Sequence, residues 1–375
     1  MLGILLGASL IVQEHEMRMS DTAGWRVSLH GDVFLQYVHT YRTRGDYQFG
    51  SVNRFMLDVG EPLGGGVLQA RTTVSAEPLT LTERGAPQLL QVAFIADGET
   101  ITDHMHPSPW IMELAVAYER PLTPSTALSL YGAAIGGPAL GPPVYLHRAS
   151  AMENPSVPLG HHAQDVTHSS YGVVTLGLGG RVLRVEVSAF NDRQPDEAST
   201  VFFYEGARLD SYAGRATIFV GPWSFMPFYG YLPAASGGHT HGAMRRAGFA
   251  VLYNLDSSSV TAVYSANDPV GSERRANTVL VEWKTRWHAG QLFYARAEYV
   301  QRTDEELSLV GSVGPLLDVE ALQAGYARAV TSVAAMPARV GAYVTVSLVP
   351  PSLEPFYGGH GLLSIAVYGQ LSIGR

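Results

Sequence analysis

Two-residue alternation, with a charged set facing an apolar set, constrains this chain more than any other feature. In 25-WRVSLHGDVFLQY-37, Trp25, Val27, Leu29, Val33, Leu35 and Tyr37 fall on one face. Arg26, Ser28, His30, Asp32, Phe34 and Gln36 fall on the other. In 278-TVLVEWKTRW-287, Val279, Val281, Trp283 and Trp287 oppose Glu282, Lys284 and Arg286. The stretches 181-RVLRVEVSAF-190 and 291-QLFYARAEYV-300 repeat the pattern, with Arg184, Glu186, Arg296 and Glu298 on the polar faces. Alternate side chains of an extended strand point to opposite sides, so each segment reads as a strand with one apolar and one polar face. About ten residues is the span a tilted strand needs to cross a bilayer. Aromatics gather near the ends of the apolar faces, where a membrane barrel carries its girdles.

Such segments fall at 25–39, 52–62, 66–76, 110–119, 125–132, 169–178, 181–190, 209–219, 222–232, 244–254, 258–266, 275–287, 290–300, 317–330, 338–348 and 362–372. The connections alternate between short and long. The expected fold is therefore all-β: a transmembrane antiparallel β-barrel of about 16 strands, with short periplasmic turns and long outer loops. A soluble β-sandwich also alternates, but it turns its polar faces to solvent. Here Arg26, Asp32, Arg54, Asp58, Arg71, Arg184, Glu186, Arg215, Glu282, Lys284, Arg286, Arg296 and Glu298 all fall on faces that converge on one interior. Their mixed signs suit ion pairs and hydrogen bonds in a wet lumen.

Composition agrees. Only 15% of the 375 residues are charged, against about 25% in soluble proteins. A net charge of -8 argues against a nucleic-acid partner, which needs a basic face. There is no cysteine, which excludes disulfides, thiolate zinc sites and thiol catalysis. The start, 1-MLGILLGASLIVQ-13, has the length of an export-signal core but lacks a basic lead and an A-x-A site. Residues 1–24 are thus expected to be an atypical export signal with a periplasmic lead-in, and residues 25–375 one outer-membrane barrel.

The run 141-GPPVYLHRASAMENPSVPLGHHAQDVTHSSYGVVTLGL-178 resembles an uncharacterised bacterial family of outer-membrane β-barrel proteins, through its PLGHH-x-QD-x-TH series. The pieces 210-DSYAGR-215, 296-RAEYVQRTDEEL-307 and 353-LEPFYG-358 resemble the same family, in order along the chain. At 103-DHMHPSP-109 the chain departs from the His-Pro-His-Asp type run of its relatives. The resemblance implies an outer-membrane barrel and says little about activity.

Histidines concentrate in the long connections, which places them at one rim. His104, His106, His161, His162, Asp165, His168, His239 and His241 form a candidate metal set. Each His-x-His pair, 104-HMH-106 and 239-HTH-241, points one way in an extended chain. A helical turn would align His161, Asp165 and His168. Imidazole suits zinc, copper or nickel, and Met105 or Met152 adds a soft thioether for copper. The candidate cofactor is accordingly a divalent metal ion or copper. The bland alternative is a hydrogen-bonded loop, with His147, Arg148, Glu153 and Asn154 locking residues 133–168 into the lumen as a constriction. A catalytic set of Ser169 or Ser170 with His168, His161 and Asp165 lacks a G-x-S-x-G elbow. Arg245 and Arg246 begin a strand beside 239-HTH-241; a solvated loop end is the favoured reading, and a mouth-lining pair that favours anions is the alternative.

The leading expectation is a porin-like or transport barrel for small solutes or ions, narrowed by the histidine-rich loop and partnered by outer-membrane lipid. A copper- or zinc-handling barrel is the first alternative, and an outer-membrane hydrolase the second.

Overall fold

The computed structural model describes residues 24–92, 94–96, 99–164, 169–193, 208–233, 242–271, 274–311, 316–334 and 336–374. The proposed export segment lies outside them. Three strands open the chain: β1 (Arg26–Thr40), β2 (Tyr47–Leu63) and β3 (Gly66–Val74). Four short strands follow within the next long connection: β4 (Ala86–Pro87), β5 (Phe94–Ala96), β6 (Glu99–Ile101) and β7 (His104–Met105). They pair as β4 with β7 and β5 with β6.

The wall then continues with β8 (Ile111–Thr123), β9 (Thr126–Gly136), β10 (Ser170–Gly180), β11 (Leu183–Asn191), β12 (Ser211–Val220) and β13 (Trp223–Leu232). It is completed by β14 (Met244–Asn254), β15 (Ser258–Pro269), β16 (Ala276–Trp287), β17 (Gln291–Arg302), β18 (Leu317–Val333), β19 (Met336–Leu348) and β20 (Gly361–Ile373). Sixteen antiparallel strands, β1 to β3 and β8 to β20, form one closed barrel, sealed where β20 pairs with β1. Closure leaves no unpaired edge, which a lipid environment requires.

Short turns join the strands at one end, and both described termini lie there. At 63-LGGG-66, Gly64 and Gly65 take φ of 57° and 81°. Two consecutive positive φ values are what a tight hairpin turn of the primed type needs. All connections at the other end are longer, from the six residues 41–46 up to the 36 residues 75–110.

The alternation is realised as expected. Leu35, Leu176, Val187, Val281, Val344 and Val367 lie exposed on the outside. Trp25, Trp223, Trp283, Trp287 and Tyr326 lie near the short-turn end, and Tyr37, Tyr47, Phe49, Tyr212 and Tyr264 near the other. An apolar belt between two aromatic rings is the surface a bilayer solvates. The opposite face carries the charged set. Asp32, Arg54, Asp58, Arg71, Arg184, Glu186, Arg215, Glu282, Lys284, Arg296 and Glu298 are all buried inside. Arg26 and Arg286 sit on the same inward parity near the short-turn mouth, Arg26 half-buried and Arg286 exposed.

Register turns this face into rows. Thr261, Glu282, Arg296, Gln323, Thr345 and Ser364 follow one another across β15 to β20. They form a continuous polar belt across six neighbouring strands.

Candidate functional site: a lumen filled by two loops

The described parts of two long connections, 75–110 and 137–169, fold into the barrel instead of standing above it. The second is rich in proline: Pro138, Pro142, Pro143, Pro155 and Pro158. Proline holds the chain extended and has no N–H, so this segment carries more carbonyl acceptors than amide donors. Buried carbonyls need partners. The wall supplies them as guanidinium groups. Arg54 donates to the carbonyl of Met152 (3.1 Å), Arg215 to Gly141 (2.9 Å), Arg246 to His162 (2.9 Å), Arg296 to Ser156 (2.9 Å) and Arg302 to Leu159. Hydroxyl and amide groups add to this: Ser265 and Asn267 both donate to Ala163, and Gln164 donates to Thr278.

Charge is matched as well. Arg148, from the loop, and Arg296, from β17, clamp Glu282 of β16 at 2.9 and 3.0 Å. Glu153 enters a cage of Lys284 (3.1 Å), Arg286 (3.0 Å) and Arg339 (2.7 Å). Asn154 donates to Gln323 at 2.6 Å, and Ser150 to Thr261 at 2.7 Å. The polar belt is thus the surface against which residues 148–156 lie. Other ion pairs lie within the wall itself: Arg54 with Asp32, Arg71 with Asp58, and Arg215 with Glu186. Burial opposes ionisation of Glu153, but Lys284, Arg339 and Arg286 outweigh it and bring its pKa down to about 2.

Beside the loop a cavity of about 50 Å³ remains. It is lined by Gln36 and Val38 of β1, Arg296 and Glu298 of β17, Gln323 of β18, Thr345 and Ser347 of β19, and by Glu77 and His106 from the first loop.

The structure separates the histidines of the candidate metal set. His104 turns to Asp46 (3.1 Å) and to the Thr102 carbonyl (3.1 Å). His106 turns the other way and meets His162, with the two Nε2 atoms 3.1 Å apart. The His-x-His pair therefore does not converge on one point, because each ring is taken by its own partners. His161 lies beside His162, with ring centres 4.9 Å apart, and meets Tyr145 edge-on at 5.1 Å. All four rings are buried; His104 bonds Asp46 of the long connection 41–46, and the segment carrying His162 is held by Arg246, Ser265, Asn267 and Thr278 near the long-connection ends of β14 to β16. His147 is buried in the short turn Tyr145–His147. Asp165, His168, His239 and His241 lie outside the described residues, so the expected helical alignment of His161, Asp165 and His168 does too. Residues His161–Gln164 do form a one-turn helix. Among the described residues, no group of three or more histidine or acidic side chains is placed to hold a metal ion.

The structure does not bring Arg245 and Arg246 together at the mouth. Arg245 faces outward, while Arg246 is buried and spent on Asn267 and the His162 carbonyl. Neighbouring strand residues face opposite ways, so the two cannot act as a pair. At the outer end, Asp103 accepts from Arg44 at 2.6 Å, from Tyr357 at 3.0 Å and from the Leu90 amide at 2.7 Å. This joins three connections into one cap over an apolar cluster of Leu89, Leu90, Leu159, Leu307, Leu353 and Tyr357.

No protein-family model and no curated protein sequence matches the chain. Solved structures do. The anion-selective porin from Comamonas acidovorans superposes with a TM-score of 0.58 at 10% identity, covering 93% of this chain and 100% of that one. OmpF of Salmonella typhi gives 0.55 at 12% identity, covering 92% and 97%. OprB of Pseudomonas putida gives 0.54 at 11% identity, covering 93% and 94%. At such identities the likeness speaks for the fold. The chain folds as a sixteen-stranded barrel of the outer-membrane porin type, and its apolar belt places that barrel in a lipid bilayer.

Proposed function

We propose that this protein is a porin-like passage for small solutes or ions across the bacterial outer membrane, constricted by its two inward loops. A sixteen-stranded wall encloses enough room for an aqueous channel. The observation that carries the reading is the Pro-rich loop, fastened to the wall from β12 to β19 by arginines and ion pairs and leaving a cavity of about 50 Å³ at its edge. A water molecule needs roughly 10–15 Å³ measured this way. The space therefore suits water and small ions, and bulkier solutes pass only if the loop shifts. The histidines and acids of the loop serve in this reading as its fastening.

Single-channel conductance in planar bilayers tests the proposal. The wild type should conduct weakly. Replacing residues 142–160 with a short Gly-Ser bridge should raise conductance at least several-fold, once barrel folding is verified by heat-modifiable gel migration. A folded deletion variant that conducts no better than wild type sinks the reading.

A further inference from the structure

Where the two inward loops meet, His106 of the first and His162 of the second face each other inside the lumen. Their ring planes differ by only 8°, their centres are 5.3 Å apart and their Nε2 atoms 3.1 Å apart. Nearly parallel rings whose nearest atoms are the two nitrogens lie end to end, each Nε2 aimed at the other. The tautomers follow from one further bond. Nδ1 of His106 lies 2.9 Å from the Pro107 carbonyl, which only accepts, so Nδ1 carries the proton and Nε2 bears the lone pair. In the metal-free chain, His162 Nε2–H donates to it. That lone pair is what a metal ion would take up.

A ring nitrogen held by a backbone carbonyl, with the opposite nitrogen turned to a partner, is the arrangement that orients metal-ligating histidines. The pair supplies two neutral donors in opposition, not the four-cornered set that zinc requires. Linear two-coordination is the preference of soft monovalent d10 ions. Two metal–nitrogen bonds of about 2 Å need the nitrogens roughly 4 Å apart, so the pair opens by somewhat under an ångström. Both histidines sit on connections, where such a shift moves no barrel strand. The surroundings suit a single charge better than a double one. Tyr145, which packs on His161, belongs to an apolar cluster with Met105, Met112 and Val157, and desolvation penalises higher charge more steeply. We propose that His106 and His162 form a two-coordinate site for a soft monovalent cation, Cu(I) or Ag(I), which clamps the two inward loops together. The proton on His162 Nε2 moves to Nδ1 when the ion binds, so no net proton is released. The site depends on the fold alone and holds whether or not the barrel conducts.

Titration calorimetry of the detergent-solubilised full chain with Ag(I), in a chloride- and thiol-free nitrate buffer, tests it. One tight equivalent is expected above any weak binding to methionines. His106→Gln and His162→Gln should each weaken that equivalent at least tenfold. His106→Met, which restores a soft donor, should recover most of it, and His104→Gln should bind as wild type. Ring ¹⁵N signals of both histidines should shift on saturation. The proposal is overturned if wild type lacks the tight equivalent or if the Gln variants keep it while folded. It is also overturned if Zn(II) displaces Ag(I), which would reveal a larger ligand set. Loss in His104→Gln would place the ion elsewhere and overturn it too.

Discussion

Glu153 shows how much one side chain can organise here. It reaches three cations on β16 and β19 from the middle of a loop, and it is almost wholly enclosed. Its pKa of about 2 lies below the unfolded value of about 4.3. The stabilisation is therefore fully present above roughly pH 4.5 and is lost as pH falls toward 2. Its size is on the order of 3 kcal/mol. Glu153→Gln should lower the thermal midpoint in detergent at pH 7 by that free energy, and the gap from wild type should close as pH approaches 2. A pH-independent gap would show that the carboxylate's charge is not what holds the loop. Arg148→Ala is the sharper lesion, because Arg148 and Glu282 are each about 1% exposed. Removing one member of such a pair costs about 3–5 kcal/mol. The same denaturation series reads it, with Glu282→Gln in the Arg148→Ala background expected to recover part of the loss.

At the scale of elements, the strands were legible and the loops were not. All sixteen wall strands stand where alternation put them, because a strand's facing depends only on neighbours two residues away. The ends differ by a few residues. β2 begins at Tyr47 instead of 52, since 47-YQFGS-51 alternates too but is studded with glycine and polar residues that read as loop. Glycine also shapes the wall locally. A Cβ at Gly325 or Gly341 would overlap the inward rings of Tyr294 and Tyr368, whose hydroxyls bond each other at 3.0 Å. Gly325→Val should cost about 1–3 kcal/mol by overpacking, seen as a lower thermal midpoint. Tyr294→Leu added to it should return part of that loss; no recovery would place the strain elsewhere. The loop partners were beyond reach of pattern. Arg148 and Glu282 are 134 positions apart, and no periodicity links them. Sequence placed His104, His106, His161 and His162 in long connections. Only coordinates showed that His104 and His106 diverge while His106 and His162 meet.

At the scale of the whole molecule, the two faces of the wall should respond oppositely to charge. Val281, near the middle of β16, faces outward, and Gln323 of β18 faces the lumen. Val281→Arg should destabilise the barrel in lipid by about 2–4 kcal/mol, whereas Gln323→Arg should cost less and alter conductance instead. Equilibrium unfolding in liposomes compares the two; equal penalties would contradict the assignment of faces. Sequence alone determined the membrane barrel, its strand number, its inside and its outside. Those follow from local alternation, from the low charge and from the alternating lengths of the connections. Tertiary structure decided what fills the barrel. Whether a Pro-rich loop stands in solvent or turns inward depends on whether arginines and carboxylates on distant strands meet its carbonyls and charges. That matching is set by register and closure around the ring, which no local stretch of the chain encodes.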